Sequence, residues 1–191
     1  MTFDEVFEQV SPVEGWMGKS DCFALYEGVK NVSGLIVEIG AYMGRSTKLL
    51  ALSSPQSKII TIDSFKENPF FFYSCERISK EFEKSTYGLP ITLINEDSHI
   101  VGKTWDKPID FILIDGSHLY DDVLVDVELF VPHVKKGCFV YFHDYNVKDI
   151  WTEYRPNFHG VFKAVQEIKD IYFESVETGF DNHGFAICKK K

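Results

Sequence analysis

Leu35-Ile36-Val37-Glu38-Ile39-Gly40-Ala41-Tyr42-Met43-Gly44-Arg45-Ser46-Thr47 is the stretch that decides the fold. Leu35, Ile36, Val37 and Ile39 are apolar and mostly β-branched, which suits a short parallel strand covered on both faces. Gly40 and Gly44 allow a sharp backbone turn and the close approach of a flat ligand. Ser46 and Thr47 then open the apolar run Leu49-Leu50-Ala51-Leu52, which predicts a helix. In an open α/β sheet, a nucleotide-like ligand sits at such a first strand-to-helix turn. Glu38 is the polar residue of the strand.

Outward from this turn the pattern alternates. Strands are expected at Lys58–Ile62, Ile91–Asn95, Phe111–Ile114 and Cys138–Phe142. Helices are expected from Ser46, over 71–84 and from Tyr120 to Val134, the last ended by Lys135-Lys136-Gly137. A further helix near 160–170 precedes two runs, Ile171–Val176 and Phe185–Cys188, spaced as an antiparallel hairpin. Before the first strand, residues 2–10 and 20–30 read as amphipathic helices, a helical cap over 1–33 in front of a core over 34–191. No repeat or composition break divides the chain, so one domain is expected. The fold class is α/β: a doubly wound, mostly parallel sheet flanked by helices.

The 191 residues are 45% hydrophobic, enough for one buried core, and carry a net charge of −9. An acidic balance argues against nucleic acid or an anionic membrane as partner. No apolar run reaches the roughly 18 residues that span a bilayer, and Asp4, Glu5 and Glu8 are the wrong charge for a signal peptide. Cys22, Cys75, Cys138 and Cys188 form no C-x-x-C pair, so neither a zinc knuckle nor a redox motif is indicated. Cys138 and Cys188 read as buried free thiols, and a cytoplasmic location is expected.

Polar residues recur where strands end: Glu38 and Gly40, Asp63 and Ser64, Asn95 to Ser98, Asp115, and His143-Asp144. Carboxyl ends of parallel strands share one rim, so these residues predict a common ligand site. Asp63 stands where a carboxylate accepts from ribose hydroxyls, or simply forms an Asx turn before Ser64. The glycine turn lacks the third glycine of a dinucleotide fingerprint and places bulky Tyr42 between its two glycines. Glu38 repels phosphate and suits a cation. A ligand with adenosine, a sulfonium and an ammonium group fits: S-adenosylmethionine.

Val37 through Ser46 resembles the first motif of class I S-adenosylmethionine-dependent methyltransferases, in wording close to catechol O-methyltransferase. Asp110-Phe111-Ile112-Leu113-Ile114-Asp115-Gly116-Ser117-His118-Leu119-Tyr120 and Gly137-Cys138-Phe139-Val140-Tyr141-Phe142-His143-Asp144-Tyr145 resemble bacterial small-molecule O-methyltransferases, including those that act on macrolide sugars. The resemblance covers roughly residues 12–188. It implies a Rossmann-like sheet of seven strands with an antiparallel C-terminal strand. It also implies that Glu38, Gly40, Ala41, Tyr42 and Ser46 hold the methionine end of the cofactor, Asp63 and Ser64 the ribose, and Asp97 and Ser98 the adenine, with Asp115 beside them. Asp115 and Asp144 match the magnesium ligands of metal-dependent relatives, and His118 the catalytic base. His118 stands in place of a lysine-type base, and Tyr145 follows Asp144 where asparagine is expected.

The implied reaction is methyl transfer to a hydroxyl of a small molecule, such as a sugar or natural-product glycoside. His143 reads as a third ligand, a second base or a strand-end hydrogen bonder, and His99, His133, His159 and His183 as surface residues. The run Phe70-Phe71-Phe72-Tyr73 reads as core, as a cover over the cofactor or as a subunit contact of a homodimer. Trp151, Tyr154, Arg155 and Phe158 would line the acceptor pocket. Asn68-Pro69-Phe70-Phe71 looks like an amide-methylating motif but does not follow the fourth strand. Two alternatives stay open: a nicotinamide-dependent oxidoreductase, and a non-catalytic cofactor-binding protein on the same fold.

Overall fold

The short apolar runs become strands buried on both faces, and their period of two sorts each strand's side chains between two layers of helices. The structure, a computed structural model, describes residues 1–66, 73–145, 160–179 and 183–191. Its strands are β1 (Leu35–Ile39), β2 (Lys58–Ile62), β3 (Ile91–Ile94), β4 (Ile109–Ile114), β5 (Val134–His143), β6 (Phe173–Gly179) and β7 (Phe185–Lys190). They form one sheet in the order β3-β2-β1-β4-β5-β7-β6. The first five run parallel, and β7 is antiparallel to both β5 and β6. The expected seven-stranded, Rossmann-like sheet with its antiparallel C-terminal strand is therefore present. Strand order reverses between β1 and β4, which opens a crevice at their carboxyl ends.

The helices are α1 (Phe3–Val10), α2 (Lys19–Val29), α3 (Arg45–Ser53), α4 (Cys75–Ser85), α5 (Ser98–Gly102), α6 (Tyr120–Phe130) and α7 (Gly160–Tyr172). On one face Val37, Ile39, Ile112, Ile114, Val140 and Phe142 pack against Val123, Val127 and Phe130 of α6 and Val161, Ala164 and Val165 of α7. On the other, Ile36, Ile59, Phe111, Leu113 and Tyr141 meet Val6 and Val10 of α1, Cys22, Leu25 and Val29 of α2, and Leu49 and Leu50 of α3. No helix among the described residues is long and apolar enough to cross a membrane.

Several boundaries differ from expectation: β4 opens at Ile109, and the run expected as strand from Ile171 begins as helix, since α7 continues to Tyr172 and β6 opens at Phe173. α6 ends at Phe130, and a 3-10 turn over Val131–His133 follows, because Pro132 lacks the N–H that a continuing helix needs. Lys135-Lys136-Gly137 is consequently no helix stop: it lies within β5, which opens at Val134. Ile109 pairs with Val134 but Phe111 with Phe139, so this stretch bulges, with Gly137 at φ +79° and Lys135 Nζ 2.6 Å from Asp110 Oδ1. α4 starts at Cys75 rather than 71, capped by the Ser74 hydroxyl, which accepts from Arg77 N at 3.4 Å. All four cysteines are free, with Cys188 buried and Cys138 only half-buried.

Candidate active site

Gly40 turns the chain out of β1 at φ +86°, and a Cβ there would come within 2.1 Å of the Asp115 carbonyl oxygen. Only glycine lets the ends of β1 and β4 approach so closely. Asp115 N donates to Ile39 O at 2.8 Å, which ties the acid after β4 to the glycine turn. Tyr42 also has a left-handed backbone, φ 47°, and its ring lies 4.5 Å from that of Trp16. Ala41 and Ser46 are buried beneath the turn.

Asp63 shapes this turn directly. Its Oδ2 accepts from Ala41 N at 2.7 Å and Tyr42 N at 3.1 Å, and its Oδ1 from Phe65 N at 2.7 Å. The last bond is an Asx turn around Ser64. A carboxylate has about four acceptor positions, so these three bonds leave room for one further donor.

Glu38 is fully buried. Thr47 and Thr61 hydroxyls donate to its Oε2 at 2.5 and 2.8 Å, while Oε1 has no hydrogen-bond partner among the described residues. Burial pushes its pKa up to about 7, against the nearby hydroxyls of Ser46, Thr47 and Thr61. An unpartnered, buried acceptor at a glycine turn is a ready site for a cation.

The second cluster lies where β4 and β5 end. His118 Nε2 is 2.9 Å from Asp144 Oδ2 and 3.9 Å from Asp115 Oδ1. His143 Nδ1 is 3.1 Å from Asp115 Oδ1 and 3.3 Å from Asp144 Oδ2. His183 Nδ1 is 3.0 Å from Asp144 Oδ1. Burial lowers the His118 pKa, but the Asp144 charge and hydrogen bonds to both carboxylates outweigh it and push it up to about 10. Burial alone would raise the Asp144 pKa, yet His118 and His143 hold it well below the usual carboxylate range. Asp115 moves the same way: burial is outweighed by His143 and His118. Ligand atoms of Asp115, His118 and Asp144 lie within 4.8 Å of one another, close enough to share one metal ion.

The sequence reading of His183 as a surface residue is corrected: it stands beside Asp144 in this cluster. It precedes β7, and only the antiparallel pairing of β7 with β5 brings it beside Asp144. Asp21 was also missed. It is fully buried on α2, 3.8 Å from His143 Nε2. The signal was present, since Asp21 stands four residues before buried Leu25 and shares its helical stripe.

Asp97 and Ser98 lie farther along the rim with their side chains engaged. Asp97 Oδ1 caps α5 by accepting from His99 N at 3.0 Å, and Oδ2 pairs with Lys66 at 2.9 Å. The Ser98 hydroxyl donates to Asp126 Oδ1 on α6 at 2.7 Å. His99 is half-buried, 3.7 Å from the same oxygen. Phe70, Phe71 and Phe72, the Asn68-Pro69 pair, Trp151, Tyr154, Arg155, Phe158 and His159 lie outside the described residues.

A family model described as a methyltransferase domain matches residues 37–145. Protein R132 of Acanthamoeba polyphaga mimivirus, described as uncharacterized, is 28% identical over 118 residues, 57% of this chain and 50% of that protein. The matched stretch thus spans about half the length of that relative. A candidate caffeoyl-CoA O-methyltransferase from Staphylococcus aureus superposes with a TM-score of 0.71 at 19% identity, covering 100% of this chain and 93% of that one. MycE methyltransferase of the mycinamycin biosynthetic pathway, in complex with Mg, SAH and mycinamycin VI, superposes at 0.66 with 18% identity, covering 98% and 54%. At such identities the superpositions establish the fold.

Proposed function

The chain belongs to this methyltransferase-domain family, as a class I S-adenosylmethionine-dependent member, and from that premise we propose that it methylates a hydroxyl of a small molecule. The nicotinamide-dependent alternative falls with the family match. The observation that carries the proposal is the convergence of His118, Asp115 and Asp144 beside the glycine turn. The likeness to MycE, whose structure holds mycinamycin VI, supports a small-molecule acceptor of natural-product type.

The residues fit the cofactor. Glu38 Oε1 would accept from its ammonium, Gly40, Ala41, Tyr42 and Ser46 would enclose its methionine end, and Asp63 would take one ribose hydroxyl beside Ser64. Asp97 and Ser98 would flank the adenine. When bound, S-adenosylmethionine supplies a methyl group on a cationic sulfonium, open to in-line displacement by an acceptor oxygen. The donor set also fits a divalent cation such as magnesium through the Asp115 and Asp144 carboxylates, which would orient the acceptor and lower its pKa.

His118 takes the acceptor's proton in this reading. It already holds one firmly as the partner of two acids, so that proton must leave first. Whatever neutralises Asp115 and Asp144 therefore governs when His118 becomes a base.

The test is release of S-adenosylhomocysteine with a panel of nucleoside-diphosphate sugars, macrolide glycosides and catechols. His118→Ala lowers turnover by about 10²–10⁴, with cofactor affinity by calorimetry unchanged. Normal turnover in that variant removes the base role. Cofactor binding with no turnover on any hydroxylated acceptor leaves the non-catalytic reading instead.

A further inference from the structure

β5 presents Tyr141 and His143 on the same face, two residues apart, and both meet α2. The Tyr141 hydroxyl donates to the backbone oxygen of Asp21 at 3.2 Å. His143 Nε2 stands 3.8 Å from Asp21 Oδ2, just beyond hydrogen-bond reach. Asp21 Oδ2 also accepts from Gly18 N at 2.9 Å. Neither His143 Nε2 nor Asp21 Oδ1 has a hydrogen-bond partner among the described residues, and both side chains are at least 98% buried, with relative exposures of 2% and 0%. Two adjacent buried orphans, one on a ring nitrogen and one on a carboxylate, each cost free energy unless they meet, directly or through one water.

We propose that Asp21 is a positioning residue of the candidate active site, whose carboxylate accepts a hydrogen bond from His143 Nε2–H and so aims His143 Nδ1 at Asp115 and Asp144. An imidazole is rigid, so fixing one nitrogen fixes the direction of the other. Nδ1 contacts both carboxylates, and these in turn hold His118. The chain of contacts runs from a helix outside the matched span 37–145 to the proposed base. The catalytic consequence rests on the methyl-transfer reading, whereas the contact itself does not.

The competing role for Asp21 is to cap α2 through Gly18 N. One oxygen, Oδ2, faces both Gly18 N and His143 Nε2, so Asp21→Ala removes both contacts and the readout separates them: a cap alone changes stability and leaves the His143 signals as they are. The experiment uses the full chain labelled with ¹⁵N-histidine, with His143→Gln identifying the His143 signals. In the wild type, Nε2 carries a proton. In Asp21→Ala, Nε2 loses it or exchanges it rapidly with water, while S-adenosylmethionine affinity by calorimetry stays within about twofold. A wild-type Nε2 without a proton overturns the proposal, whether or not the variant folds. So does a folded Asp21→Ala whose His143 signals match the wild type, the result that a capping role alone predicts. Where an acceptor is turned over, kcat falls about tenfold or more with KM for the cofactor unchanged. Failure to methylate any acceptor leaves the spectroscopic result standing, so the two readings fail separately.

Discussion

Glu38 and Asp126 are carboxylates kept where burial opposes their charge. Burial pushes Glu38 up to about 7 and Asp126 up to about 6, the latter against a hydrogen bond from Ser98 and the charge of His99. Both folded pKa values lie above the unfolded ones. The stability linked to each group is therefore full below its unfolded pKa and lost as pH rises through the folded one. The shifts correspond to about 3 kcal/mol for each acid once it is ionised. Urea unfolding between about pH 3.5 and 8 is expected to show the loss, with Asp126→Asn removing the part that runs from 3.8 to about 6 and Glu38→Gln the part from 4.5 to about 7. Midpoints of both variants that follow the wild-type pH curve would contradict these environments. For Glu38 the same charge has a use, because its open Oε1 suits a cationic ligand. S-adenosylmethionine affinity should rise several-fold from pH 6 to 7.5 in the wild type and stay flat, and weaker at the upper end, in Glu38→Gln. Calorimetry across that range decides it.

At the scale of elements, Arg45 shows how α3 fastens a segment with no secondary structure. Its Nε donates to Val13 O at 2.6 Å, and its NH1 and NH2 groups donate to Met17 O at 2.8 Å and Ser11 O at 3.4 Å. A guanidinium fork can serve three carbonyls that point in different directions, whereas an ammonium on a flexible stem cannot hold the same set. These bonds keep the stretch between α1 and α2, with Trp16, against Tyr42 at the glycine turn. Arg45→Lys is expected to cost about 2 kcal/mol and to speed amide hydrogen exchange over residues 11–18 ahead of the sheet. Unchanged exchange there would show that apolar packing alone holds the strap. This device was not legible in the sequence, where Arg45 read only as part of a helix start. Strands and helices with a clear period were legible, because β1, β2 and the hairpin alternate or run apolar over their whole length. The ends of α6 and β5 were not. Pro132 set one of them, and a bulge that the pairing of β4 with β5 imposes set the other.

For the molecule as a whole, the rim of strand-end acids was readable because parallel strands must end on one side, which places Glu38, Asp63, Asp115 and Asp144 together. His183 and Asp21 were not readable, since β7 and α2 reach the same rim from the two ends of the chain and only tertiary packing joins them. That packing also makes the first 33 residues more than a cover. α1 and α2 supply Val6, Val10, Cys22, Leu25 and Val29, all fully buried, to the layer over Ile36, Ile59, Phe111, Leu113 and Tyr141. Removing them would leave α3 alone over that face of a sheet whose strands are apolar on both sides, and each large side chain uncovered loses roughly 1.5–3 kcal/mol of burial. Over these five strand residues such a sum is as large as the roughly 5–15 kcal/mol by which domains are stable. A chain of residues 34–191 is thus expected to lack a cooperative thermal transition, to bind a hydrophobic dye and not to bind S-adenosylmethionine, although it retains Glu38, Gly40 and Asp63. A cooperative melt with retained cofactor binding in that fragment would show that the core stands alone. The helical layer, and Asp21 with it, would then be an addition to a finished domain.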